Sequence, residues 1–525
     1  MQNLDLLLLQ RSIDRLIAPF NTPNTPGITV GFVRDGDLIL HRHAGFASLE
    51  LAQPITENST FRIASVSKQF TCAAILLLAA EAHLSPTDPI QTHLPELPDF
   101  GAPITIAHLM HNTSGLRDML ELMRFAGTDL GVPVSREDLM QAICRQRTLN
   151  FAPGSRYLYS NTNFLLLGRI AERVSGQPLP SFLEQRIFTP LGMTQTRMIE
   201  STTEVVENLT TGYLPAGKSW TRAQHGFALG GEGGLVSCVQ DLALWVRNAS
   251  TARVGGPALI AGLETLEPFT NGAPNTYARG LNVHTDRGTR IVEHGGLWPG
   301  YKTQFLRAPE HGLAVIVISN NGAADPFTLA HSILDIALPS RAPLPKMPNL
   351  DRLPGRYLDC TNNTTIELAV TPEGLPQATT NGVPFILRAT ETGALARRAA
   401  NDFTLTQSAD GNTLHVTYDA RAQATLQRVT DPATLPTDLD GAYENPEIAA
   451  TWTITGANLT VAGPLIRNTK WDIEPVAPDF IRAYATGSLF RAWIDIQIQR
   501  TPTGTIQSLQ TNGGRARGLT FAKNL

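Results

Sequence analysis

The 525-residue sequence has little charge, few cysteines and no long apolar segment. Only 17% of its residues are charged, the formal net charge is −4, and the basic residues form no block, which argues against nucleic acid as the main partner. The four cysteines are scattered and include no C-x-x-C pair, so neither a zinc site nor a disulfide framework is indicated. No segment reaches the length of a membrane-spanning helix, and we expect no membrane partner.

Leucines dominate the N-terminal segment, where residues 6–9 are all leucine. Asp5 precedes this run, and Arg11 and Asp14 follow it. A signal peptide needs a basic start, a longer apolar core and a cleavage site with small residues. The pattern therefore favours an amphipathic first helix, and we expect a cytoplasmic protein.

The rest of the chain is organised around residues 62–80, in which strong helix formers follow Ser65 and Lys68. The composition predicts a buried helix with Ser65 at or just inside its first turn. The three-residue spacing puts the hydroxyl and the amine on one face of that helix, beside free N–H groups at its N-terminus. A nearby base and oxyanion donors are what an activated serine requires. Because Ser-x-x-Lys is short, the motif by itself is only a hypothesis.

Other N-terminal motifs predict structure rather than chemistry. Two β-rich runs flank Asp35-Gly36 and predict a hairpin. His108 and His111 are more typical of structural residues than of metal ligands, because no carboxylate or cysteine accompanies them at ligand spacing. The glycine-rich run 230–234 lacks the lysine of a phosphate-binding loop, which favours close backbone packing.

A proline-rich linker divides the chain, since residues 339–348 include four prolines. Beyond it the helical patterns end and short, roughly alternating strands follow, which is typical of antiparallel β structure. The pattern L-x-G-x-Y occurs at 353–357 and again at 439–443. We therefore predict one catalytic domain at 1–338 and two copies of a small β-barrel at 350–435 and 436–525.

Three motifs occur in order on well-separated elements: Ser65-x-x-Lys68, Tyr159-x-Asn161 and His294-Gly-Gly. This set resembles the serine penicillin-recognising family, which includes class C β-lactamases, DD-peptidases, related esterases and D-aminopeptidases. The resemblance covers about residues 20–338. It implies a catalytic domain of the α/β (α+β) class, with an antiparallel sheet flanked by helices and an all-helical region beside it.

One departure from the family pattern is His294, which stands where β-lactamases and most DD-peptidases have lysine. Histidine there, together with two β-barrel domains, is most similar to the D-aminopeptidases, which remove an N-terminal D-residue from peptides, amides and esters. The resemblance implies a small peptide or amino-acid amide as substrate, a homodimer, and no metal or organic cofactor. It also implies that a loop of the last barrel brings an acid to the substrate ammonium. Asp479 is our candidate for that acid, although an ordinary solvated aspartate is the favoured interpretation of this residue alone.

The resemblance also implies roles for the motif residues. Ser65 attacks the carbonyl after losing its proton toward Lys68 or Tyr159, and the sequence leaves open which of the two is the base. Asn161 orients Lys68 and the substrate amide. The substrate lies along the strand of His294, where the two glycines leave the backbone open to a ligand. There the expected substrate-binding residues are Gly295, Gly296 and Leu297, with the N–H groups of Ser65 and Leu297 as the oxyanion hole.

Two other functions remain open at this stage. An esterase, β-lactamase or DD-carboxypeptidase would keep the fold and the acyl-enzyme and change the substrate. A binding protein that is acylated without turnover would use the same site as a receptor. The complete proton-relay set argues against the receptor.

Overall fold

An antiparallel sheet of six strands forms the centre of the N-terminal region in the computed structural model, which describes residues 5–227, 229–397, 403–418, 422–430, 433–485 and 492–524. From one edge to the other the strands are Asn282–Asp286, Thr289–Trp298, Tyr301–Ala308, Leu313–Ser319, Ile28–Arg34 and Asp37–Ala44. The first and last parts of the domain therefore meet within the sheet, between its fourth and fifth strands, where Val30 pairs with Val317.

The predicted hairpin is confirmed at the last two strands of this order. Ile28–Arg34 pairs with Asp37–Ala44. Asp35 and Gly36 both have positive φ, +51° and +85°. Two left-handed residues in a two-residue loop give the turn whose twist matches that of the strands.

Helices cover both faces of the sheet. The N-terminal helix Leu6–Ile17 is amphipathic as predicted, and it buries Leu9, Ile13 and Ile17 against the sheet beside helix Pro326–Ala337. Helix Val239–Thr251 packs on the opposite face, where the larger core of the domain lies.

A mostly helical region completes the N-terminal domain. Its α-helices are Lys68–Ala80, Ile90–His93, Ile106–Met110, Met119–Phe125, Arg136–Cys144, Asn161–Ser175, Leu179–Leu183, Thr189–Leu191 and Gly256–Leu263. Short 3₁₀ and π turns are Ala18–Phe20, Ala64–Ser67, Glu184–Phe188 and Pro309–His311. Small strands are Phe46–Ser48, Gln53–Pro54, Phe61–Arg62, Arg197–Met198, Tyr213–Ala216, Ser219–Arg222 and Leu235–Ser237. Within the described residues, no helix combines the length and apolar character that crossing a bilayer requires.

Two closed antiparallel barrels follow, which confirms the predicted fold class. The strands of the first are Gly355–Asp359, Thr364–Val370, Pro376–Thr380, Val383–Ala389, Leu395–Arg397, Phe403–Gln407, Thr413–Tyr418 and Ala422–Arg428. Those of the last are Gly441–Asn445, Ala450–Thr455, Asn458–Ala462, Thr469–Ala477, Phe480–Ala485, Trp493–Arg500, Ile506–Gly513 and Ala516–Lys523.

The repeated L-x-G-x-Y pattern has the same structural role in each barrel. Both tyrosines are fully buried. The hydroxyl of Tyr443 donates to the carbonyl of Leu439 at 2.7 Å, whereas that of Tyr357 lies 3.1 Å from the carbonyl of Gly411 and 3.5 Å from that of Leu353. A Cβ on Gly355 would lie 2.3 Å from the guanidinium of Arg428, which stacks over the ring of Tyr357. The glycine therefore makes room for the cation that covers the tyrosine.

The last barrel shares its core with the catalytic domain. Leu122 and Phe125 of helix Met119–Phe125 are buried among barrel residues. The indole of Trp452, inside the barrel, donates to the carbonyl of Phe125 at 2.9 Å. This docking positions the residue before that helix, Asp118, which belongs to the site described next.

Candidate active site

Ser65 lies in the 3₁₀ turn Ala64–Ser67, which leads directly into helix Lys68–Ala80. This places the serine one turn before the α-helix proper. The preceding residue, Ala64, has φ +47°. A non-glycine residue in this region costs on the order of 1–3 kcal/mol, and such strain is concentrated at functional sites. The backbone therefore turns sharply to present the hydroxyl.

Lys68 is fully buried beside Ser65. Its Nζ lies 3.1 Å from Ser65 Oγ and 2.9 Å from Asn161 Oδ1, and it also donates to the carbonyl oxygen of Glu232. Burial lowers the pKa of Lys68 to about 7, and the positive charge of Arg515 acts in the same direction. A substantial fraction of this lysine is therefore neutral at neutral pH.

Tyr159 completes the contacts to the serine hydroxyl. Its hydroxyl donates to Ser65 Oγ at 2.7 Å. Burial raises the pKa of Tyr159 above the usual value for a phenol. The side chain is therefore a proton donor in the resting site.

Asn161 is the first residue of helix Asn161–Ser175, and a buried carboxylate fixes its amide. Its backbone N and Nδ2 donate to Asp118 Oδ2 at 2.6 and 2.9 Å. The amide oxygen therefore points to Lys68. Sequence reasoning missed Asp118, although it closely follows the phrase Thr-Ser-Gly-Leu at 113–116 that agrees with the family pattern.

His294 faces the site from the strand Thr289–Trp298, but its ring nitrogens have other partners. Nδ1 lies 2.6 Å from the carbonyl of Gly295, and Nε2 lies 3.0 Å from the hydroxyl of Tyr277. Because a carbonyl only accepts, Nδ1 carries the proton and Nε2 accepts from Tyr277. Burial, followed by the charge of Lys68, lowers the pKa of His294 to about 4. This imidazole is therefore neutral, and its ring centre lies 6.1 Å from that of Tyr159.

The glycines after His294 bring their strand against the segment that leads to Ser65. A Cβ on Gly296 would lie 2.2 Å from the carbonyl oxygen of Ile63, whereas one on Gly295 would meet only Gln304 Oε1 at 3.2 Å and Thr303 O at 3.7 Å. Leu297 lines the cavity in front of the site, with half of its surface exposed. The predicted substrate-binding stretch thus lies beside the segment that carries Ser65.

The glycine-rich run 230–234 packs closely against neighbouring backbone, as predicted. A Cβ on Gly231 would lie 2.7 Å from the carbonyl of Phe164, and one on Gly234 would lie 2.2 Å from that of Leu229. Sequence reasoning missed Glu232 in the same run. Burial raises the pKa of its carboxyl group, while its backbone carbonyl accepts from Lys68.

A cavity of about 1100 Å³ opens in front of these residues. The catalytic domain lines it with Ser65 and His294, and the first barrel contributes Phe385. The turn between the last two strands of the last barrel contributes Gly514 and Arg515. All three parts of the chain therefore shape the space in which a substrate would bind.

The structure does not bring Asp479 to the other predicted site residues. It lies in the turn between Thr469–Ala477 and Phe480–Ala485 and is not among the described residues that line the cavity. Its carboxylate accepts from Arg500 Nε at 2.9 and 3.0 Å. Among the described residues that the last barrel contributes to the cavity is Arg515, a cation where the resemblance implied an acid.

His108 and His111 have structural partners. His108 Nδ1 accepts from the backbone N of Thr105 at 3.2 Å in a capping box, and His111 Nδ1 lies 3.1 Å from the carbonyl of Tyr277. Among the residues that the structure describes, no group of three or more His, Cys, Asp or Glu side chains could hold a metal ion.

Comparison with known proteins agrees with this geometry. The family model described as Beta-lactamase matches residues 13–338, and the chain therefore belongs to the beta-lactamase family. A relative from Cereibacter sphaeroides that is named D-aminopeptidase is 30% identical over 381 residues, which are 71% of this chain and 70% of the relative. The family resemblance predicted from the three motifs is thereby confirmed.

Solved structures share the fold. The octameric penicillin-binding protein homologue from Pyrococcus abyssi aligns over 98% of this chain and 100% of its own chain, with a TM-score of 0.57 and 20% identity. D-amino acid amidase from Ochrobactrum anthropi SV3, complexed with L-phenylalanine amide, aligns over 64% of this chain and 99% of its own chain, with a TM-score of 0.55 and 23% identity.

Proposed function

We propose that this protein is a serine hydrolase that releases N-terminal D-amino acids from small peptides, amides and esters through an acyl-enzyme. The relatives named D-aminopeptidase support the substrate class. The observation that carries the chemistry is the contact of Ser65 Oγ with both Lys68 Nζ, at 3.1 Å, and the Tyr159 hydroxyl, at 2.7 Å. No step needs a metal or an organic cofactor.

Lys68 is the general base in this proposal. Its two other contacts, Asn161 Oδ1 and the carbonyl of Glu232, are acceptors only. In the neutral amine these acceptors take the two hydrogens, so that the lone pair faces Ser65 Oγ. A pKa of about 7 gives a base that is both available and strong enough at neutral pH.

The acyl transfer then proceeds in a balanced sequence. Ser65 Oγ bonds to the substrate carbonyl carbon as its proton passes to Lys68. The C–N bond breaks as Tyr159 gives its proton to the leaving amine, and Lys68 returns a proton to Tyr159. We place the oxyanion between the N–H groups of Ser65 and Leu297. Water hydrolyses the ester with the same base and releases the D-amino acid.

Asp129 is the acid that meets the substrate ammonium in this proposal. Four acidic side chains line the cavity among the described residues: Glu121, Asp129, Glu293 and Asp325. Three of them already have hydrogen-bond partners. Glu121 accepts from an arginine, Glu293 from a histidine and a glutamine, and Asp325 from a backbone N–H at the start of a helix. Of these four, and within the part of the chain that the structure describes, only the Asp129 carboxylate lacks such a partner.

The test of the activity is hydrolysis of D-alanine p-nitroanilide beside its L-enantiomer and its N-acetylated form. We expect cleavage of the free-amine D-compound alone, and complete loss of cleavage in Ser65→Ala. Equal turnover of the N-acetylated compound would instead support an esterase, β-lactamase or carboxypeptidase. Stable acylation without turnover would support a receptor.

Asp129→Asn and Asp479→Asn form a matched pair that tests the ammonium contact. We expect Asp129→Asn to raise KM for D-alanine p-nitroanilide by about tenfold or more, since a hydrogen bond between charged groups is lost. Asp479→Asn removes a carboxylate that Arg500 holds, and we expect little change. The reverse result would restore Asp479 as the ammonium-reading acid.

The division into domains at 1–338, 350–435 and 436–525, the homodimer and the cytoplasmic location are part of this proposal. The two closed barrels support the division. The homodimer rests on the family resemblance. The cytoplasmic location rests on the N-terminal pattern of an amphipathic helix, which packs Leu9, Ile13 and Ile17 onto the sheet. Light scattering of the purified chain and fractionation of cells that express it test the last two points.

A further inference from the structure

The turn that joins the last two strands of the last barrel is clamped onto the catalytic domain. The carbonyl of Arg515 accepts from the backbone N of Asp118 and from Asn150 Nδ2, both at 3.1 Å. Asn150 Oδ1 in turn accepts from the backbone N of Arg517 at 2.8 Å. A Cβ on Gly513 would lie 2.3 Å from the ring of Phe125, so the turn lies directly on helix Met119–Phe125. The position of the Arg515 backbone is therefore fixed by the domain that carries the nucleophile.

The Arg515 guanidinium reaches the carboxylates beside the site. One of its terminal nitrogens lies 3.5 Å from Asp118 Oδ2, and the other lies 3.6 Å from Glu121 Oε1. Its central carbon lies 5.8 Å from the centre of the Tyr159 ring. Asp118 is fully buried, and its carboxylate also accepts from the backbone N–H groups of Leu120 and Glu121 at the start of the helix. Arg515 adds a cation to these donors, as a buried carboxylate requires partners in place of water.

A continuous chain of contacts connects this cation to the nucleophile. Arg515 faces Asp118 Oδ2, the same oxygen accepts from Asn161 Nδ2, and Asn161 Oδ1 accepts from Lys68 Nζ. Lys68 lies against Ser65 Oγ. Since the amide of Asn161 can present only one end to each neighbour, the contact of its Nδ2 with the Asp118 carboxylate turns Oδ1 toward Lys68.

We propose that Arg515 of the last barrel is a positioning residue of the catalytic site, which holds the Asp118 carboxylate in place and thereby aims Asn161 at Lys68, and which adds a positive charge beside that amine. This inference rests on the proposed function in that Lys68 is the base. It makes the last barrel part of the catalytic machinery, because among the described residues the cation in ion-pair contact with Asp118 comes from that barrel.

The groups that act on Lys68 come from several elements. Glu232, Asp118 and Cys72 favour its ammonium form, and Arg515 opposes it. Tyr159 faces it from the start of the neighbouring helix, with its ring centre 4.9 Å from Nζ. Removal of Arg515 takes away the positive charge that disfavours the ammonium form of Lys68, and the pKa of Lys68 then rises.

The experiment uses the full chain and two substrates. The pH dependence of Ser65 acylation by p-nitrophenyl acetate and of kcat/KM for D-alanine p-nitroanilide is measured for wild type, Arg515→Gln, Arg515→Lys and Arg117→Gln. Arg117 is the matched control, because it also joins the two domains, donating to Glu447 and to the carbonyl of Arg517. Far-ultraviolet circular dichroism and thermal unfolding of each variant establish that it is folded.

We expect Arg515→Gln to move the acid limb of acylation upward by about half a pH unit or more. We also expect the acylation rate of this variant on the alkaline plateau to fall about tenfold to 100-fold, because a catalytic group that is displaced reacts more slowly even in a folded protein. In Arg515→Lys and in Arg117→Gln we expect the midpoint of this acid limb to stay near its wild-type pH. A limb that does not move in Arg515→Gln, with a plateau no lower than that of Arg117→Gln, would overturn the inference. Failure of the proposed function gives a different result, namely acylation by the acetate without cleavage of the anilide by wild type.

Discussion

At the scale of single residues, burial of Lys68 has a kinetic consequence. In the proposed mechanism the neutral amine is the base, and the pKa of Lys68 is about 7. We therefore expect kcat/KM to rise with pH through an acid limb near 7. His294 is neutral above a pKa of about 4, and burial keeps Tyr159 protonated into the alkaline range, so neither titrates there. Measurement of kcat/KM for D-alanine p-nitroanilide from pH 4 to 10 checks this.

Lys68→Arg is the control for that limb. Arginine keeps the charge but does not lose its proton in this range, so we expect a fall in kcat of about 10²- to 10⁴-fold at every pH. An acid limb near pH 4 in the wild type, or a Lys68→Arg variant with normal activity, would show that lysine is not the base.

At the scale of elements, the strand Thr289–Trp298 has to lie against the segment before Ser65. This requires Gly296, since a Cβ there would lie 2.2 Å from the carbonyl oxygen of Ile63. We expect Gly296→Ala to lower the free energy of unfolding by about 1–3 kcal/mol, the usual cost of overpacking. Chemical denaturation checks this, with Gly295→Ala as the matched control. An equal loss of unfolding free energy in both variants would contradict the assignment of the effect to the close contact with Ile63.

The same strand carries Glu293, which is buried with two histidines. His284 Nε2 and His331 Nε2 lie 2.9 and 3.0 Å from its carboxylate oxygens. Burial alone would raise the pKa of Glu293, but the charge and hydrogen bonds of these histidines lower it to about 2. Because the folded pKa lies below that of the unfolded chain, the ionised carboxylate stabilises the fold above about pH 4.5, and this contribution is lost as the pH falls toward 2.

We therefore expect Glu293→Gln to be less stable than wild type at pH 6 by about 3 kcal/mol, with the difference shrinking as the pH falls from 5 to 3. Denaturant unfolding of both proteins at a series of pH values measures it. A difference that stays constant over this range would contradict an ionised Glu293 in the fold.

At the scale of the whole molecule, a buried cation joins the two barrels. Arg482 of the last barrel is fully buried, with its Nε 3.3 Å from Asp495 Oδ1, and it also donates to Glu367 of the first barrel. Asp495 accepts from the backbone N of Thr365, in the first barrel, at 2.7 Å. Each barrel therefore supplies partners that satisfy the buried charges of the other.

Arg482→Met leaves Asp495 buried without its cation, and we expect a loss of about 3–5 kcal/mol in the free energy of unfolding. The double variant with Asp495→Asn should recover part of that loss. Arg500→Met removes the exposed pair with Asp438 and Asp479, and we expect a change of at most about 1 kcal/mol. If the two single arginine variants lose the same stability, the barrel interface is not held by its buried charge.

Much of the fold and part of the site could be predicted because the signals are local. The spacing of Ser65 and Lys68 lies within one helical turn, and the hairpin at Asp35-Gly36 depends on two adjacent residues. The repeated barrels show in an alternating pattern and in a pentapeptide. Tyr159, Asn161 and His294 came from an ordered set of short motifs. Physical preferences that act over a few residues are written in the sequence itself.

Only the tertiary structure decided which distant groups surround those residues. Asp118 and Glu232 contact the catalytic amide and amine across long stretches of chain, and Arg515 arrives from a different domain. Asp479, selected from its neighbours in sequence, lies instead against Arg500. No local pattern marks such contacts, because they depend on how the barrels dock and on which buried charges must be paired once water is excluded. The sequence by itself determined the fold and predicted Ser65 as the nucleophile, and the packing of the two barrels against the rest of the chain decided which charges surround that serine.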